Sequence, residues 1–148
     1  MSLFKKYTSG AARLQDISLL LLRLVLVAGF FQPATMKLQN PLSVAEWFAS
    51  MNYPMPGVSA YLAMITEISG IVLLAVGLGT RIIALPLMFI MVVAFFTVHL
   101  GNGFAAGDNG FEIPLYYFVM LLVILSYGAG KISLDHLLEK RRSTKSAD

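Results

Sequence analysis

Apolar residues dominate four stretches of the chain, and each stretch is long enough, or nearly long enough, to cross a lipid bilayer. A spanning helix needs about 20 mostly apolar residues. None of the stretches shows the strict alternation that is typical of a half-buried strand. The pattern therefore predicts an all-α integral membrane protein, a four-helix bundle. The predicted helices are Ile17–Met36, Val58–Leu78, Ile82–Leu100 and Glu112–Tyr127.

Two further segments predict short helices at the membrane surface. Asn40 is a good N-cap and Pro41 suits a first helical turn, so a short apolar helix containing Trp47 should follow and end before the Asn52–Gly57 run of helix breakers. Near the end of the chain, Ser133 can cap a second interfacial helix. The predicted organisation is a tail over 1–16, a transmembrane domain over 17–130, and an amphipathic segment with a basic tail over 131–148.

The composition agrees with a membrane protein and excludes several other classes. Of the 148 residues, 57% are hydrophobic and 13% are charged, whereas soluble domains have about 25% charged residues. The chain contains no cysteine, which excludes thiol catalysis, iron–sulfur clusters and cysteine zinc sites for this chain alone. Its basic residues are spread along membrane edges without interleaved aromatic residues, so we expect no nucleic-acid partner.

Lysine and arginine residues predict the orientation. They concentrate before the first helix, in the Gly77–Arg81 turn and after the fourth helix, whereas the connections on the opposite side contain only Lys37. The positive-inside rule then places both termini in the cytoplasm of a multi-pass protein in a bacterial inner (plasma) membrane. The basic residues on the predicted inner side are Lys5, Lys6, Arg13, Arg81, Lys131, Lys140, Arg141, Arg142 and Lys145.

Ionisable residues inside the predicted helices are candidates for a functional site, because a charge at membrane depth is costly. Glu67 lies near the middle of the second helix, on a face of small residues that indicates contact with protein. His99 and Glu112 lie near the outer ends of the third and fourth helices. We expect these three catalytic candidates to form one outward-facing polar site with Lys37 at its rim. The aromatic residues expected to line it are Phe95, Phe96, Tyr116 and Tyr117.

Arg23 leaves two interpretations of Glu67 open. Arg23 and Lys37 are 14 residues apart and share a face of the first helix, so both are candidate substrate-binding residues. An Arg23–Glu67 ion pair would be structural, whereas a free Glu67 would be available for proton transfer. Structural roles also remain open for His99 and for Glu112, since a helix N-terminus favours a carboxylate. No spacing matches a metal motif, so we predict no metal ligands.

The polar residues belong to short motifs whose order and spacing are specific in combination. They are Leu22-Arg23-Leu24, Met36-Lys37-Leu38, Glu67-Ile68-Ser69-Gly70, Gly77-Leu78-Gly79-Thr80-Arg81, His99-Leu100-Gly101, Gly110-Phe111-Glu112-Ile113-Pro114-Leu115 and Gly128-Ala129-Gly130-Lys131-Ile132-Ser133-Leu134-Asp135. Together these motifs resemble the DoxX family of DoxX/DoxD-like small four-helix membrane proteins, over residues from about 17 to 138. Where the family commonly has His-Gly before its lysine motif, this chain has Gln32-Pro33. That departure argues against a role that needs a second imidazole.

The resemblance implies a membrane subunit of a redox assembly, since members of the family have been linked to thiosulfate:quinone oxidoreductase. A quinone would lie against the aromatic residues, while His99 and Glu112 or Glu67 would bind its carbonyl groups and carry protons. No haem or flavin motif is visible, so electrons would come from other redox subunits or from a reductant such as thiosulfate.

The alternative is a non-enzymatic membrane partner or a copper-handling component linked to peptide biosynthesis or stress response. Thioether and imidazole groups suit Cu(I), and several methionines lie in the outer half near His99. The substrate, the partner proteins beyond the lipid bilayer and the oligomeric state stay open. These methionines are Met36, Met51, Met55 and Met64.

Overall fold

The computed structural model describes the backbone of residues 2–145 and the side chains of residues 14–143, and this part of the chain contains six α-helices and no β-strand. The all-α prediction is therefore confirmed. The helices are α1 (Ser2–Gln39), α2 (Pro41–Ser50), α3 (Pro56–Val76), α4 (Thr80–Ala94), α5 (Glu112–Tyr127) and α6 (Leu134–Lys145).

Three helical stretches of the described chain are long and apolar enough to cross a membrane, namely Leu14–Gln39, Pro56–Val76 and Thr80–Asn102. The fourth apolar helix, α5, has the bounds that the sequence predicts. Its 16 residues are about 24 Å long at 1.5 Å per residue. The architecture is a bundle of four apolar helices that is compatible with a membrane.

The four long helices form a closed ring. α1 packs on α3, α3 on α4, α4 on α5, and α5 returns to α1, while α2 covers part of α3. Leu26, Leu74, Leu87 and Leu121 are fully buried at the centre of this ring. Large apolar side chains also cover the outside, as at Ile82, which is 77% exposed. A helix that is apolar on all sides is typical of a membrane environment.

The bundle has two ends of different character. We call the end built from residues 16–23, 74–81 and 126–135 the tail end, because the first part of α1 and the whole of α6 extend beyond it. The opposite end, built from residues 37–56 and 99–112, is the loop end, because the long connections lie there. The chain runs from the tail end to the loop end in α1 and α4, and back in α3 and α5.

Two predicted caps are present. The Asn40 side chain accepts a hydrogen bond from the Ser43 backbone N–H at 3.3 Å and begins α2. The Ser133 hydroxyl accepts one from the His136 N–H at 3.3 Å and begins α6. Within α2, Phe48 is buried, whereas the predicted interfacial residue Trp47 is 48% exposed. The short helix α2 therefore covers the bundle with one face only.

Two helix boundaries differ from the prediction by more than three residues. The backbone of α1 is already helical from Ser2, because hydropathy marks the apolar part of a helix and not where the helix begins; the side chains of Lys5, Lys6 and Arg13 lie outside the described residues. The predicted helix to Leu100 is α-helical only to Ala94. It continues as a π-helical segment, Phe95–His99, and a 3₁₀ turn, Leu100–Asn102.

Candidate functional site

Lys37 and Glu67 form a salt bridge between α1 and α3. The Lys37 Nζ lies 3.0 and 2.9 Å from the two carboxylate oxygens of Glu67. The Glu67 side chain is 3% exposed and that of Lys37 is 16% exposed. Helical side chains point towards the N-terminus of their helix, so the ammonium group reaches back to within 3.5 Å of the Pro33 carbonyl oxygen and meets Glu67 below the end of α1.

Arg23 does not bind Glu67. Its Nη1 donates to the Leu74 carbonyl at 3.0 Å and its Nη2 donates to the Ile132 carbonyl at 2.5 Å. The residue is fully buried, and its Nε has no hydrogen-bond partner among the described residues. The Arg23–Glu67 ion pair, one of the two interpretations that the sequence left open, is therefore not formed. Glu67 is paired with Lys37, and Arg23 joins α1 to the end of α3 and to the segment before α6.

The tail end is held by a network around Arg23. Asp135 Oδ1 accepts a hydrogen bond from the Gly79 N–H at 2.8 Å, and its Oδ2 accepts one from the Thr80 N–H at 3.4 Å. A carboxylate here satisfies free N–H groups at the start of α4 and interacts favourably with the helix dipole. The Asp135 N–H in turn donates to the Gly77 carbonyl at 3.0 Å.

Gly77 permits the close approach on which this network depends. Its φ is +69°, which favours glycine, and a Cβ at this position would lie 2.4 Å from Arg23 Nη1 and 2.6 Å from Ser133 Cβ. Sequence reasoning gave Asp135 and Gly77 no functional role. The sequence did contain an indication that they matter, because Arg23, Gly77 and Asp135 all lie in the motifs on which the family resemblance rests.

His99 lies at the end of the π-helical segment, at the loop end. Its Nδ1 is 2.8 Å from the Asn109 carbonyl oxygen. Because a carbonyl oxygen can only accept, the hydrogen bond requires the proton on Nδ1. In the neutral imidazole Nε2 is then an acceptor, and it makes no hydrogen bond to any described residue. π-helical segments often occur at functional sites. This segment changes the directions in which the side chains after Ala94 point, relative to a continuing α-helix.

Glu112 opens α5 and closes the loop before it. Its Oε2 accepts a hydrogen bond from the Ala106 N–H at 2.9 Å, and the Glu112 N–H donates to the Phe104 carbonyl at 3.0 Å. Its side chain also interacts with that of Tyr116, one turn further along α5. Both Glu112 and His99 are therefore held by the segment from Gly103 to Gly110.

An apolar cleft of about 140 Å³ lies between α4 with its π-helical continuation and α5. Phe95 and Phe96 contribute their rings to it, 5.0 Å apart. Phe95 also contacts Phe111, the residue before Glu112, with ring centres 4.8 Å apart. The cleft is lined by Met91, Val92, Phe95, Phe96, Pro114, Leu115 and Phe118.

The two tyrosines predicted beside Phe95 and Phe96 lie elsewhere. Tyr116 packs on Phe104 in the loop, with ring centres 6.4 Å apart. Tyr117 packs on the buried Phe30 at 5.5 Å, and its hydroxyl occupies the space that a side chain at Gly29 would need. The aromatic residue that α5 contributes to the cleft is Phe118.

The predicted site residues thus fall into separate groups. Lys37 and Glu67 meet between α1 and α3, and Arg23 belongs to the tail end. His99 follows the cleft residue Phe95 by four residues, and Glu112 precedes the cleft residue Pro114 by two, but neither lines the cleft. Across residues 14–143, neither His99 nor Glu112 makes a hydrogen bond or ion pair with Glu67 or Lys37. The same residues contain no group of three or more His, Asp or Glu side chains that could hold a metal ion.

Comparison with known sequences agrees with the motifs. A family model described as DoxX matches residues 18–100. The chain belongs to the DoxX family. Two relatives from Haemophilus influenzae, each described as an uncharacterized protein, are 36% and 34% identical to it over 138 and 124 residues. The first alignment covers 88% of this chain and 89% of the relative; the second covers 81% and 90%. No solved structure matches the chain.

The DoxX match includes α2, α3 and α4 with most of α1, and it therefore contains Arg23, Lys37, Glu67 and His99. It ends before Glu112 and before the Gly128–Asp135 segment that completes the tail end. The structure adds that this later segment is bonded to Arg23 and to the α3–α4 turn. The DoxX fold of this chain is therefore closed by residues beyond the matched range.

Proposed function

We propose that this DoxX-family protein is a membrane subunit of a redox assembly and binds the headgroup of a lipophilic quinone, its substrate, in the α4–α5 cleft. One observation carries the proposal. An aromatic cleft adjoins the chain segments that carry two polar side chains, Glu112 and His99, and the Nε2 of His99 makes no hydrogen bond to a described residue.

The cleft suits an apolar ring with a long tail. Its volume of about 140 Å³ is smaller than the roughly 300–1,000 Å³ of pockets that enclose a whole ligand. It opens to the outside of the bundle, where Phe96 is 64% exposed. A quinone ring would stack on Phe95 and Phe96, while its isoprenoid tail would remain among the lipid chains.

His99 and Glu112 would supply the protons. Reduction of a quinone to a quinol adds two electrons and two protons, one proton to each carbonyl oxygen. His99 and Glu112 would hydrogen-bond a carbonyl and exchange protons with the aqueous side through the loop end. The two electrons would come from a partner redox subunit or from a reduced sulfur compound such as thiosulfate. In this proposal Lys37–Glu67 is a second proton-holding pair inside the bundle, and Arg23 positions the helices.

The proposed orientation puts the tail end in the cytoplasm and the loop end outside, because Arg81, Lys131, Arg141 and Arg142 all lie at or beyond the tail end. The absence of native cysteine makes a labelling test direct. A single cysteine at Asn109 should react with an impermeant maleimide in intact cells, and one at Ser143 should react only after lysis. The reverse pattern would place the cleft on the cytoplasmic side.

Quinone binding is tested with two phenylalanines of the same helical stretch. Phe96 lines the cleft and is 64% exposed, whereas Phe89 is 69% exposed and does not line it. Loss of one aromatic contact is worth about 0.5–1.5 kcal/mol, or roughly two- to tenfold in affinity. A short-chain quinone titrated into the protein in nanodiscs should therefore bind F96A several-fold more weakly than the native chain, and F89A normally.

Equal affinities for the two variants, or no quinone in an organic extract of the purified protein analysed by mass spectrometry, would defeat the proposal. Metal analysis of the same preparation separates the alternative. Copper in stoichiometric amount without quinone would favour a copper-handling component.

A further inference from the structure

α6 carries an apolar face that the bundle leaves uncovered. Leu134, Leu137 and Leu138 are spaced i, i+3 and i+4 and so share one side of the helix. They are 40%, 54% and 47% exposed, and Ile132 just before them is 49% exposed. An exposed apolar row of this kind on an otherwise polar helix indicates a surface that is covered by something outside the bundle.

The start of α6 is fixed at the boundary of the membrane-spanning part. The Asp135 N–H and carboxylate are bonded to Gly77, Gly79 and Thr80. These residues join the spans Pro56–Val76 and Thr80–Asn102. The leucine row therefore begins at the level where the acyl chains of a bilayer give way to headgroups.

Positive charge accompanies the leucine row. Lys140, Arg141 and Arg142 occupy the second half of α6, and Arg141 follows Leu134 by seven residues and so lies on the same side of the helix. The four basic residues in the sequence of α6 outnumber its two acidic residues, Asp135 and Glu139. Asp135 is occupied with the start of α4. Nearby, Asp16 is occupied by the Lys131 N–H at 2.9 Å and the Lys131 ammonium at 3.8 Å. Basic residues remain in excess on this surface.

We infer that α6 is a lipid-binding helix that lies on the membrane, with its leucine row at the acyl–headgroup boundary and Arg141 and Arg142 on anionic phospholipid headgroups. The charge and the position of the helix select a lipid leaflet over a protein as the occupant. A helix with this division of apolar and basic residues binds in the plane of the interface, more strongly on anionic lipid. The inference is independent of the proposed quinone site.

The test uses the full-length chain, which has no cysteine, in nanodiscs of phosphatidylcholine with or without phosphatidylglycerol. A nitroxide spin label is placed at Leu137→Cys on the leucine row, or at Ser143→Cys as the matched control. Ser143 is nine residues after Leu134, about 180° round the helix. The label at position 137 should collide mainly with membrane-dissolved oxygen, and the label at 143 mainly with a water-soluble nickel complex.

The contribution of charge is measured with R141Q/R142Q in the background of the label at position 137. Phosphatidylglycerol should increase the oxygen accessibility of this label severalfold in the native background and have little effect in the double variant. Thermal unfolding of each labelled protein in detergent confirms that the bundle is intact. The inference is overturned if position 137 stays accessible to the nickel complex in anionic nanodiscs. It is also overturned if the label shows spin–spin broadening, which would assign the row to a second copy of the chain.

Discussion

The tail end and the loop end use their polar side chains in opposite ways. At the tail end, Arg23 and Asp135 bind backbone carbonyl and N–H groups of other segments through two guanidinium nitrogens and both carboxylate oxygens. At the loop end, His99 and Glu112 each use one atom to hold a loop, and the Nε2 of His99 makes no hydrogen bond to a described residue. The difference indicates that the tail end maintains the architecture, and it supports the proposal that the loop end binds a ligand.

The largest effect should come from Arg23→Gln, which shortens the side chain and removes two charge-assisted hydrogen bonds to carbonyl groups. Each is worth about 1.5–3 kcal/mol, so we expect the free energy of unfolding to fall by roughly 3–6 kcal/mol. Denaturant unfolding in detergent measures it. Arg81→Gln is the matched control, because Arg81 is exposed and donates one bond, to the Ser126 carbonyl at 3.1 Å. An equal free energy of unfolding for the two variants would mean that the Arg23 network does not stabilise the bundle.

Gly77→Ala should be the next most destabilising change. A left-handed conformation costs an L-residue about 1–2 kcal/mol, and the new methyl group would also displace Arg23 and Ser133, so the total should be roughly 2–4 kcal/mol. Gly79→Ala separates the two causes, since Gly79 has a φ of +57° but nothing within 4 Å of an added Cβ. Thermal unfolding of both variants should show the smaller loss of stability for Gly79→Ala. An equal loss of stability would mean that the close approach of Gly77 to Arg23 and Ser133 does not contribute to the effect.

The Lys37–Glu67 pair lies between the two ends and should give an intermediate effect. Lys37→Met leaves a carboxylate unpaired that is 3% exposed, which should cost about 1–3 kcal/mol, less than for a fully buried pair because Lys37 is partly exposed. Glu67→Gln should cost less, because the freed ammonium can extend towards the surface. The double variant should recover most of the loss, as measured by a double-mutant cycle.

The surface pair Lys131–Asp16 provides the comparison for that cycle. Lys131 is 75% exposed and 3.8 Å from its partner, so Lys131→Met should leave the unfolding curve unchanged. Additive losses in the Lys37 and Glu67 variants would mean that the pair is not coupled. Glu67→Gln that unfolds normally but abolishes activity in a complementation assay would assign Glu67 to proton handling.

Among the candidate site residues, the smallest effect on stability should come from Glu112→Gln at the loop end. The amide oxygen can still accept from the Ala106 N–H, so the change in unfolding free energy should stay within about 0.5 kcal/mol. Quinone affinity in nanodiscs should fall by contrast, because the carboxylate is lost. A stable protein with unchanged quinone affinity would contradict a role for Glu112 at the cleft. A large loss of stability would mean that Glu112, like Arg23, mainly stabilises the bundle.

The elements of the fold that depend on local pattern were predictable. Hydropathy located α5 to the residue, and side-chain chemistry located the caps at Asn40 and Ser133. Lys37 and Glu67 were placed in one polar site, but their ion pair was not predicted. Depth was judged from Cα positions, whereas the Lys37 side chain reaches back along α1 by about one turn. Hydropathy also could not distinguish the π-helical turn at Phe95–His99 from a continuing α-helix, because both are equally apolar.

The partners of Arg23 lay beyond sequence reasoning for a different reason. The Ile132 carbonyl belongs to an irregular segment between α5 and α6, 109 residues away. Periodicity describes the faces of regular helices and does not place such a carbonyl. The family motifs contained the necessary residues, but only the structure shows that three of them, around Arg23, Gly77 and Asp135, form one network.

That long separation has a consequence for biogenesis. Arg23 is in the first helix that the ribosome produces, and the Ile132 carbonyl that it binds is made only after all four apolar helices have been translated. During insertion the guanidinium must therefore remain near water or headgroups at the membrane boundary, where a charged side chain is tolerated. Closure of the tail end therefore has to follow the synthesis of all four apolar helices, because it joins α1 to the segment after α5.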